Sequence, residues 1–340
     1  MARIRPFRAL RYDLADLAPV VAPPYDVLSP EQRADYLARS PYNVVHLTLP
    51  DSDEQAARDL AAWEEEGILV REPEPAYWWL SQDYVGPDGV PRRREGFVAS
   101  LHAEPYEARV VLPHERTHAG PKEGRLRLLR ATRTQLEPLF FLWDGTIGVD
   151  GLGEPDLAVG GDRLWRLDPA FGDALTEELA DARLLIADGH HRYETTLAFE
   201  ASPWLLAVIV PTDQEGLTIF PTHRIARSVN GAAGRPIDPP GDELPGLVLY
   251  RGRGRYELLE GPRLDPEIVE ALAPEGVTYT PHRAEAEAAV DRGEAEAAFL
   301  LRPTRLEDVW EVAQRGDVMP QKSTFFYPKL TSGLLLHPVD

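Results

Sequence analysis

Between residues 182 and 200 the chain changes its periodicity abruptly. A short, mostly apolar run at 182–187 leads into Asp188-Gly-His-His-Arg192 and then into a helical stretch at 193–200. An apolar run of that length closed by glycine reads as a buried strand. A strand that passes through a glycine turn straight into a helix belongs to a sheet with helices packed on it. The expectation is an α/β protein with α+β mixed sheets.

The remaining elements agree with that class. Residues 77–84 and 94–102 read as a hairpin around Gly86-Pro-Asp-Gly89, 110–113 and 139–143 as strands, and 123–135 as helix. Helices are expected at 172–181, 265–273, 284–292 and 305–314, with strands at 205–210, 217–220, 247–260 and 297–301. Pro221-Thr-His-Arg224 follows the strand at 217–220. Ser52-Asp-Glu-Gln55 resembles a capping box ahead of a four-turn helix, and Ser29-Pro-Glu-Gln32 opens a shorter one. Residues 1–50, punctuated by prolines such as those of Ala22-Pro-Pro-Tyr-Asp26, read as ordered loop more than core. Glycines and acids at 144–162 and again at 230–246 suggest boundaries. They divide the 340 residues into an N-terminal α+β lobe (1–148), a segment carrying the Asp188 turn (149–232) and a C-terminal α/β lobe (233–340).

Charge excludes some functions. With 36 basic against 56 acidic residues the net charge is −20, which repels phosphate polymers and anionic membranes, so neither nucleic acid nor membrane is an expected partner. No apolar run approaches the roughly 20 residues of a membrane helix. The start, Met1-Ala-Arg-Ile-Arg-Pro-Phe-Arg8, has no apolar stretch behind it to make a secretory signal, and the cytoplasm is the expected compartment. Without cysteine there are no disulfides, thiolate metal sites or Cys nucleophiles, and any catalysis rests on oxygen, imidazole or amine groups. A homo-oligomer is left open.

The basic residues are unevenly chosen. Only Lys122, Lys322 and Lys329 are lysines, so 36 minus 3 leaves 33 arginines. With two asparagines, no cysteine and 32 prolines this fits a thermophile-like chain, and a GC-rich genome would produce much of the same bias. Lysine is a compact point charge and a proton carrier, which arginine does not imitate. All three lie in two segments, His114-Glu-Arg-Thr-His-Ala-Gly-Pro-Lys-Glu-Gly-Arg125 and Met319-Pro-Gln-Lys-Ser-Thr-Phe-Phe-Tyr-Pro-Lys329. Chance placement of three residues is one reading; a shared anionic ligand is the other.

Phosphate is the natural ligand of the Asp188 turn, where Gly189, His191 and Arg192 sit at a helix N-terminus. Asp188 could take a hydroxyl proton or a Mg²⁺ ion, and Glu194 shares a helix face with His190. The same residues also fit an Asp cap with surface histidines, or a His pair on zinc. His114, Glu115, His118, Lys122 and Arg125 supply the carboxylate, imidazoles and cations that phosphoryl transfer asks for, or else a solvated charged loop. His114-Glu-Arg-Thr-His118 has zincin spacing, but Pro113 and Gly120-Pro121 leave too little helix for that motif. Lys322-Ser323-Thr324 with Lys329 could grip a phosphate, yet it lacks Walker glycines and is not a P-loop. Phe325-Phe-Tyr327 reads as a core strand rather than a base-stacking platform.

Taken together, Ala22-Pro-Pro-Tyr-Asp-Val-Leu28, His114-Glu115, Gly120-Pro-Lys122, Arg125, Leu129-Arg-Ala131, Asp188-Gly-His-His-Arg192, Met319-Pro-Gln-Lys-Ser-Thr324, Tyr327-Pro-Lys329 and Ser332-Gly333 resemble, over nearly the whole chain, the family labelled domain of unknown function 1015. More distantly, Gly189-x-His191-Arg192 resembles the Gly-x-His-Arg signature of the ParB and sulfiredoxin superfamily, which also includes kinases of free serine. His190 stands where sulfiredoxin has its cysteine, which rules out that chemistry. The resemblance implies a ParB/sulfiredoxin-like nucleotide-binding core with N- and C-terminal elaborations. It further implies a phosphotransferase that moves phosphate from ATP or ADP, with CTP a third candidate, to a small, serine-like hydroxyl metabolite, with Mg²⁺. Asp188, Glu115, His190 and Lys322 are then the catalytic candidates, Asp188 and Glu115 doubling as metal ligands. Gly189, His191, Arg192, Lys122, Arg125, Ser323, Thr324 and Lys329 are the candidates for binding nucleotide or phosphate. The alternatives are a non-catalytic nucleotide-binding switch and a small-molecule phosphatase.

Overall fold

The structure, a computed structural model, describes residues 1–115, 119–231, 233–261, 264–273 and 275–339. Its larger unit is a nine-stranded mixed sheet in the order Val111–Leu112, Leu184–Asp188, Leu139–Trp143, Trp204–Pro211, Pro91–His102, Tyr77–Val85, Asp162–Leu167, Leu157–Val159, with Ile4–Arg5 added against Pro91–His102. Leu184–Asp188 runs parallel to Val111–Leu112 and antiparallel to Leu139–Trp143, which in turn lies parallel to Trp204–Pro211. The central strands are apolar throughout because both faces are covered. Phe140, Leu142, Leu185 and Val208 enter one core, and Phe141, Leu184, Ile186 and Ile209 the other. Helix Pro169–Glu178 and Tyr193, from helix His190–Leu197, close the second face.

A second, six-stranded antiparallel sheet has the order Arg235–Ile237, Tyr256–Leu259, Leu247–Tyr250, Ala297–Leu300, His223–Ala226, Val277–Thr280. Its alternation is equally clean. Leu249 and Phe299 face helix Asp265–Leu272 through Val269, whereas Val248 and Leu300 face helix Arg283–Asp291 through Ala286 and Val290. The chain then returns to the first unit. Helix Leu306–Arg315 and residues 319–336 place Val309, Met319, Phe326 and Leu336 in the first sheet's core.

Several expectations change. Residues 1–50 are core as well as loop, since Phe7, Leu10, Tyr12, Val20 and Leu47 are buried beneath that returning segment. Leu10 N–H donates to Leu336 O at 2.9 Å, and Ala22 and Ser332 exchange backbone bonds of 3.2 and 2.8 Å. The stretch 144–162, read as a boundary, runs into strands Leu157–Val159 and Asp162–Leu167, the latter paired with Tyr77–Val85. The division at 148 therefore crosses the first sheet, and that at 232 falls between two strands of the second. Phe326 is fully buried in strand Phe325–Tyr327, as a core strand requires. Among the described residues no helix is long and apolar enough to cross a membrane.

Candidate functional site

Strand Leu184–Asp188 ends at Gly189, whose φ of 98° lies in the left-handed region that favours glycine, and the helix starts at His190 rather than at 193 as expected. A Cβ on residue 189 would come within 3.1 Å of Leu139 Cγ and 3.2 Å of Arg192 Nη2, so the missing side chain is what lets Arg192 fold back. Buried Arg192 donates from Nη2 to Asp188 Oδ2 at 2.8 Å and from Nη1 to Pro138 O at 2.5 Å. Lys329 donates to the other Asp188 oxygen. Burial by itself would raise the Asp188 carboxyl, but Lys329 and Arg192 outweigh it and hold the group ionised, below the ordinary carboxylate range.

Behind this turn lie two histidines with ring centroids 4.8 Å apart and an interplanar angle of 74°. His114 Nδ1 is 2.7 Å from Ile186 O, which only accepts, so this nitrogen carries the proton and Nε2 accepts from the Thr324 hydroxyl at 2.8 Å. His190 Nε2 accepts the backbone N–H of His114 at 3.3 Å. Burial pushes His114 down to about 4 and His190 well below its ordinary value, so both rings are neutral at pH 7.

The C-terminal lysine segment docks on the same place. Glu115 bridges Met319 in parallel, and Met319 N–H donates to His114 O at 2.8 Å. Burial raises the Glu115 carboxyl, partly countered by the Lys322 ammonium and backbone N–H. Lys322 is exposed and has a φ of 57°. Ser323 Oγ donates to Pro320 O at 2.5 Å, and Thr304 Oγ1 to Ser323 O at 2.7 Å, so the Ser323 hydroxyl serves the segment's own shape while that of Thr324 is given to His114. Lys122 pairs with Glu194 at 2.8 Å, on helix His190–Leu197. Arg125 donates to Thr48 O at 2.7 Å and lies 3.8 Å over the Tyr25 ring. His191 is half-buried in the helix's first turn and its carbonyl accepts from Thr195 at 2.8 Å.

The segments bearing Lys122, Asp188 and Lys329 thus converge on one strand-to-helix turn. His118 and its neighbours 116 and 117 lie outside the described residues. The expectation of Mg²⁺ on Asp188 and Glu115 does not fit this arrangement: both Asp188 oxygens are taken by cations, and no group of three or more His, Asp or Glu residues able to hold a metal occurs among the described residues. Three residues escaped the sequence reading. Buried Glu137 accepts from Tyr25 N–H at 2.9 Å and Ser332 Oγ at 3.1 Å, tying two motif segments together. Arg94 and Arg224 are the others; a run of three arginines and the Pro221-Thr-His-Arg224 motif were their only signals.

Space is distributed differently from chemistry. Beside Arg125, Glu137 and Arg192 there is a cavity of 40 Å³, room for a water and no nucleotide. A cleft of 1230 Å³ opens instead between the two sheets, lined by Phe220, Pro221, His223, Leu301, Arg302 and Thr304 among others. His223, pushed down to about 4 by burial, accepts Leu301 N–H at 3.1 Å there.

The chain belongs to the family described as Protein of unknown function (DUF1015), whose model matches residues 4–235. The motifs at 319–333 lie outside that match, so it covers less of the chain than the motif resemblance does. No curated protein matches the chain. Among solved structures it is similar to SbnI with C-terminal truncation from Staphylococcus aureus at 11% identity, covering 71% of this chain and 87% of that one with a TM-score of 0.44. Free serine kinase in complex with AMP is similar at 16% identity, with coverages of 66% and 89% and a TM-score of 0.40. A conserved hypothetical protein from Pyrococcus furiosus matches at 16%, with 66% and 92% covered and a TM-score of 0.37. At these values no residue-by-residue correspondence follows.

Proposed function

We propose that this protein binds a nucleotide at the Asp188–Arg192 turn and transfers a phosphoryl group to a small hydroxyl metabolite. The observation that carries the reading is the convergence of two separated lysine segments, through Lys122–Glu194 and Lys329–Asp188, on one strand-to-helix turn. In the ParB/sulfiredoxin-like resemblance that turn holds nucleotide phosphates, which favours ATP, ADP or CTP as donor. Backbone N–H groups after Gly189, with His191, Lys122 and Arg125, take the phosphates. Arg192 acts through Asp188, which it orients. As the substrate oxygen attacks phosphorus and the bond to the leaving group breaks, the hydroxyl proton passes to Glu115, whose carboxyl burial raises, while Asp188 stays ionised between Lys329 and Arg192. Lys322 steadies the transferred group.

A non-catalytic nucleotide switch is the second reading, and one observation favours it. Lys122, Lys329 and Arg192 already hold internal carboxylates, so a phosphate has to exchange partners with them, and such an exchange changes the shape of the turn. Phosphorus NMR over a panel of nucleotides and hydroxyl metabolites, serine first, separates the two. The enzyme reading expects Lys122→Arg and Lys322→Arg to keep the nucleotide-induced rise in melting temperature while turnover falls by about tenfold to a thousandfold. A wild type that binds nucleotide but neither transfers nor hydrolyses phosphate overturns it in favour of the switch. The absence of any melting shift with millimolar ATP, ADP or CTP removes both readings.

A further inference from the structure

Three successive arginines on strand Pro91–His102 meet different fates. Arg92 pairs with Asp88 and Arg93 with Asp83, each at 2.6 Å, on the hairpin's surface. Arg94 turns inward, is 1% exposed, and has no carboxylate partner among the ion pairs of the described residues. Its Nε donates to Gln82 Oε1 at 3.1 Å, and its Nη2 to the same oxygen and to Pro328 O, the latter at 2.8 Å. The guanidinium lies 4.5 Å over the Phe140 ring, and Nη1 is buried with no hydrogen-bond partner. Phe140 is the register neighbour of Asp188, which places Arg94 beside the turn.

Arg224, on the other sheet, repeats the pattern. It is 4% exposed, donates from Nη2 to Lys322 O at 3.0 Å and Gln321 O at 3.4 Å and from Nη1 to Thr222 O, and has no carboxylate partner among the described residues. Burial lowers both guanidiniums to about 10, with Asp162 and Asp188 near the first and Glu115 and Asp265 near the second pulling only at a distance. Carbonyl oxygens take the other donors, leaving Arg94 Nη1 unpartnered, and supply no counter-charge. A buried cation left in that state costs more than its hydrogen bonds return. Two of them hold the two ends of one segment, residues 321–328, which contains Lys322 and runs into Lys329, in a chain whose net charge is −20.

We propose that residues 321–329, a segment whose middle is the strand Phe325–Tyr327, form an oxyanion site in which a compact phosphate group lands between Lys322 and Lys329, the latter exchanging its bond to Asp188, and supplies the counter-charge that Arg94 and Arg224 lack. The two arginines are positioning residues: they hold the loop by its carbonyls and set its positive potential from behind. The inference rests on the phosphotransferase reading only for the nature of the donor, and deepens it by naming where the transferred or terminal phosphate sits.

Inorganic tripolyphosphate, which has no nucleoside, is the probe. Titration calorimetry on the full chain should show binding that Arg94→Gln and Arg224→Gln each weaken by roughly tenfold to thirtyfold, the size of one charge lost at short range in a partly buried setting. Arg94→Lys, keeping the charge, should stay within about threefold of wild type, a rescue that a purely structural brace would not give. Exposed Lys322→Gln carries no folding risk of this kind and should also lose about tenfold. Arg305→Gln, at a solvent-exposed pair with Asp308, is the control that should change nothing. If Arg94→Gln and Arg224→Gln fold and bind tripolyphosphate as the wild type does, the proposal is overturned. If they do not fold, unchanged binding by Lys322→Gln overturns it instead. Tripolyphosphate binding with these losses, but no transfer from any nucleotide, leaves the loop standing and removes the phosphotransferase. Transfer with an unchanged nucleotide KM in the two Gln variants does the reverse.

Discussion

The Asp188 turn and the cleft between the sheets are neighbours with opposite physics. At the turn Arg192, His114 and His190 are buried, Asp188 is half-buried, all are hydrogen-bonded to one another or to backbone, and the cavity beside Arg192 measures 40 Å³. The cleft offers 1230 Å³, and its ion pairs keep their arginines at the rim: the side chains of Arg305 and Arg302, paired with Asp308 and the buried Asp265, are 72% and 52% exposed. They meet at the lysine loop, where Thr304 and Arg224 reach from the cleft side to Ser323 and Lys322. The difference teaches that reactive groups and room for a ligand need not coincide. A ligand for the turn has to exchange partners with groups already paired.

The sharpest way to break this contrast is Asp188→Asn. Losing the shared carboxylate strands two cations, one of them buried, and should cost roughly 3–5 kcal/mol in urea unfolding. A cost no larger than that of a rim substitution would erase the distinction between the two regions.

Next comes acid, which tests one histidine from each region. His114 and His223 both sit at about 4 in the folded chain against an ordinary value near 6.5. The unfolded chain therefore takes up their protons first. Their contribution, about 3 kcal/mol each, is fully present above about pH 6.5 and is lost as pH falls toward 4. Urea midpoints at pH 7.5, 6 and 5 should decline, and His114→Gln or His223→Gln should each flatten the slope by a similar amount. Equal slopes in wild type and both variants would show that neither imidazole is held neutral by the fold. Asp188 works in the same direction, but only below the ordinary carboxylate range, because its folded value is depressed.

The smallest effect belongs to the cleft. Asp308→Ala breaks the exposed pair with Arg305 and should shift stability by less than about 1 kcal/mol, with even that difference shrinking in high salt.

What the sequence disclosed follows from range. The strand, glycine and helix at 184–197, the hairpin at 77–102 and most elements after 247 are local patterns, and each forms close to where its periodicity places it. The helix start at 190 was missed because Gly189, with its positive φ, turns the chain earlier than the first good helix former. Strands Leu157–Val159 and Asp162–Leu167 hide among glycines and acids, and their apolar residues are buried only because Tyr77–Val85 lies alongside. Phe7, Leu10 and Tyr12 look like loop residues until residues 330–336 cover them. At the site, residue types were legible and pairings were not. Nothing local says that Lys329 belongs to Asp188, or that Arg94 differs from Arg92 and Arg93.

The seating of residues 319–338 has a consequence for how the protein is made. On the ribosome the first sheet's strands emerge early, but Leu10 hydrogen-bonds to Leu336, and Gln135 pairs with His337. A nascent chain released to residue 300 has the six-stranded sheet nearly whole while one face of the older sheet still lacks its cover. The second sheet is thus an insertion that is completed while its host waits. The waiting face exposes apolar side chains such as Phe140 and Val208 during synthesis, when such surface is most prone to aggregate.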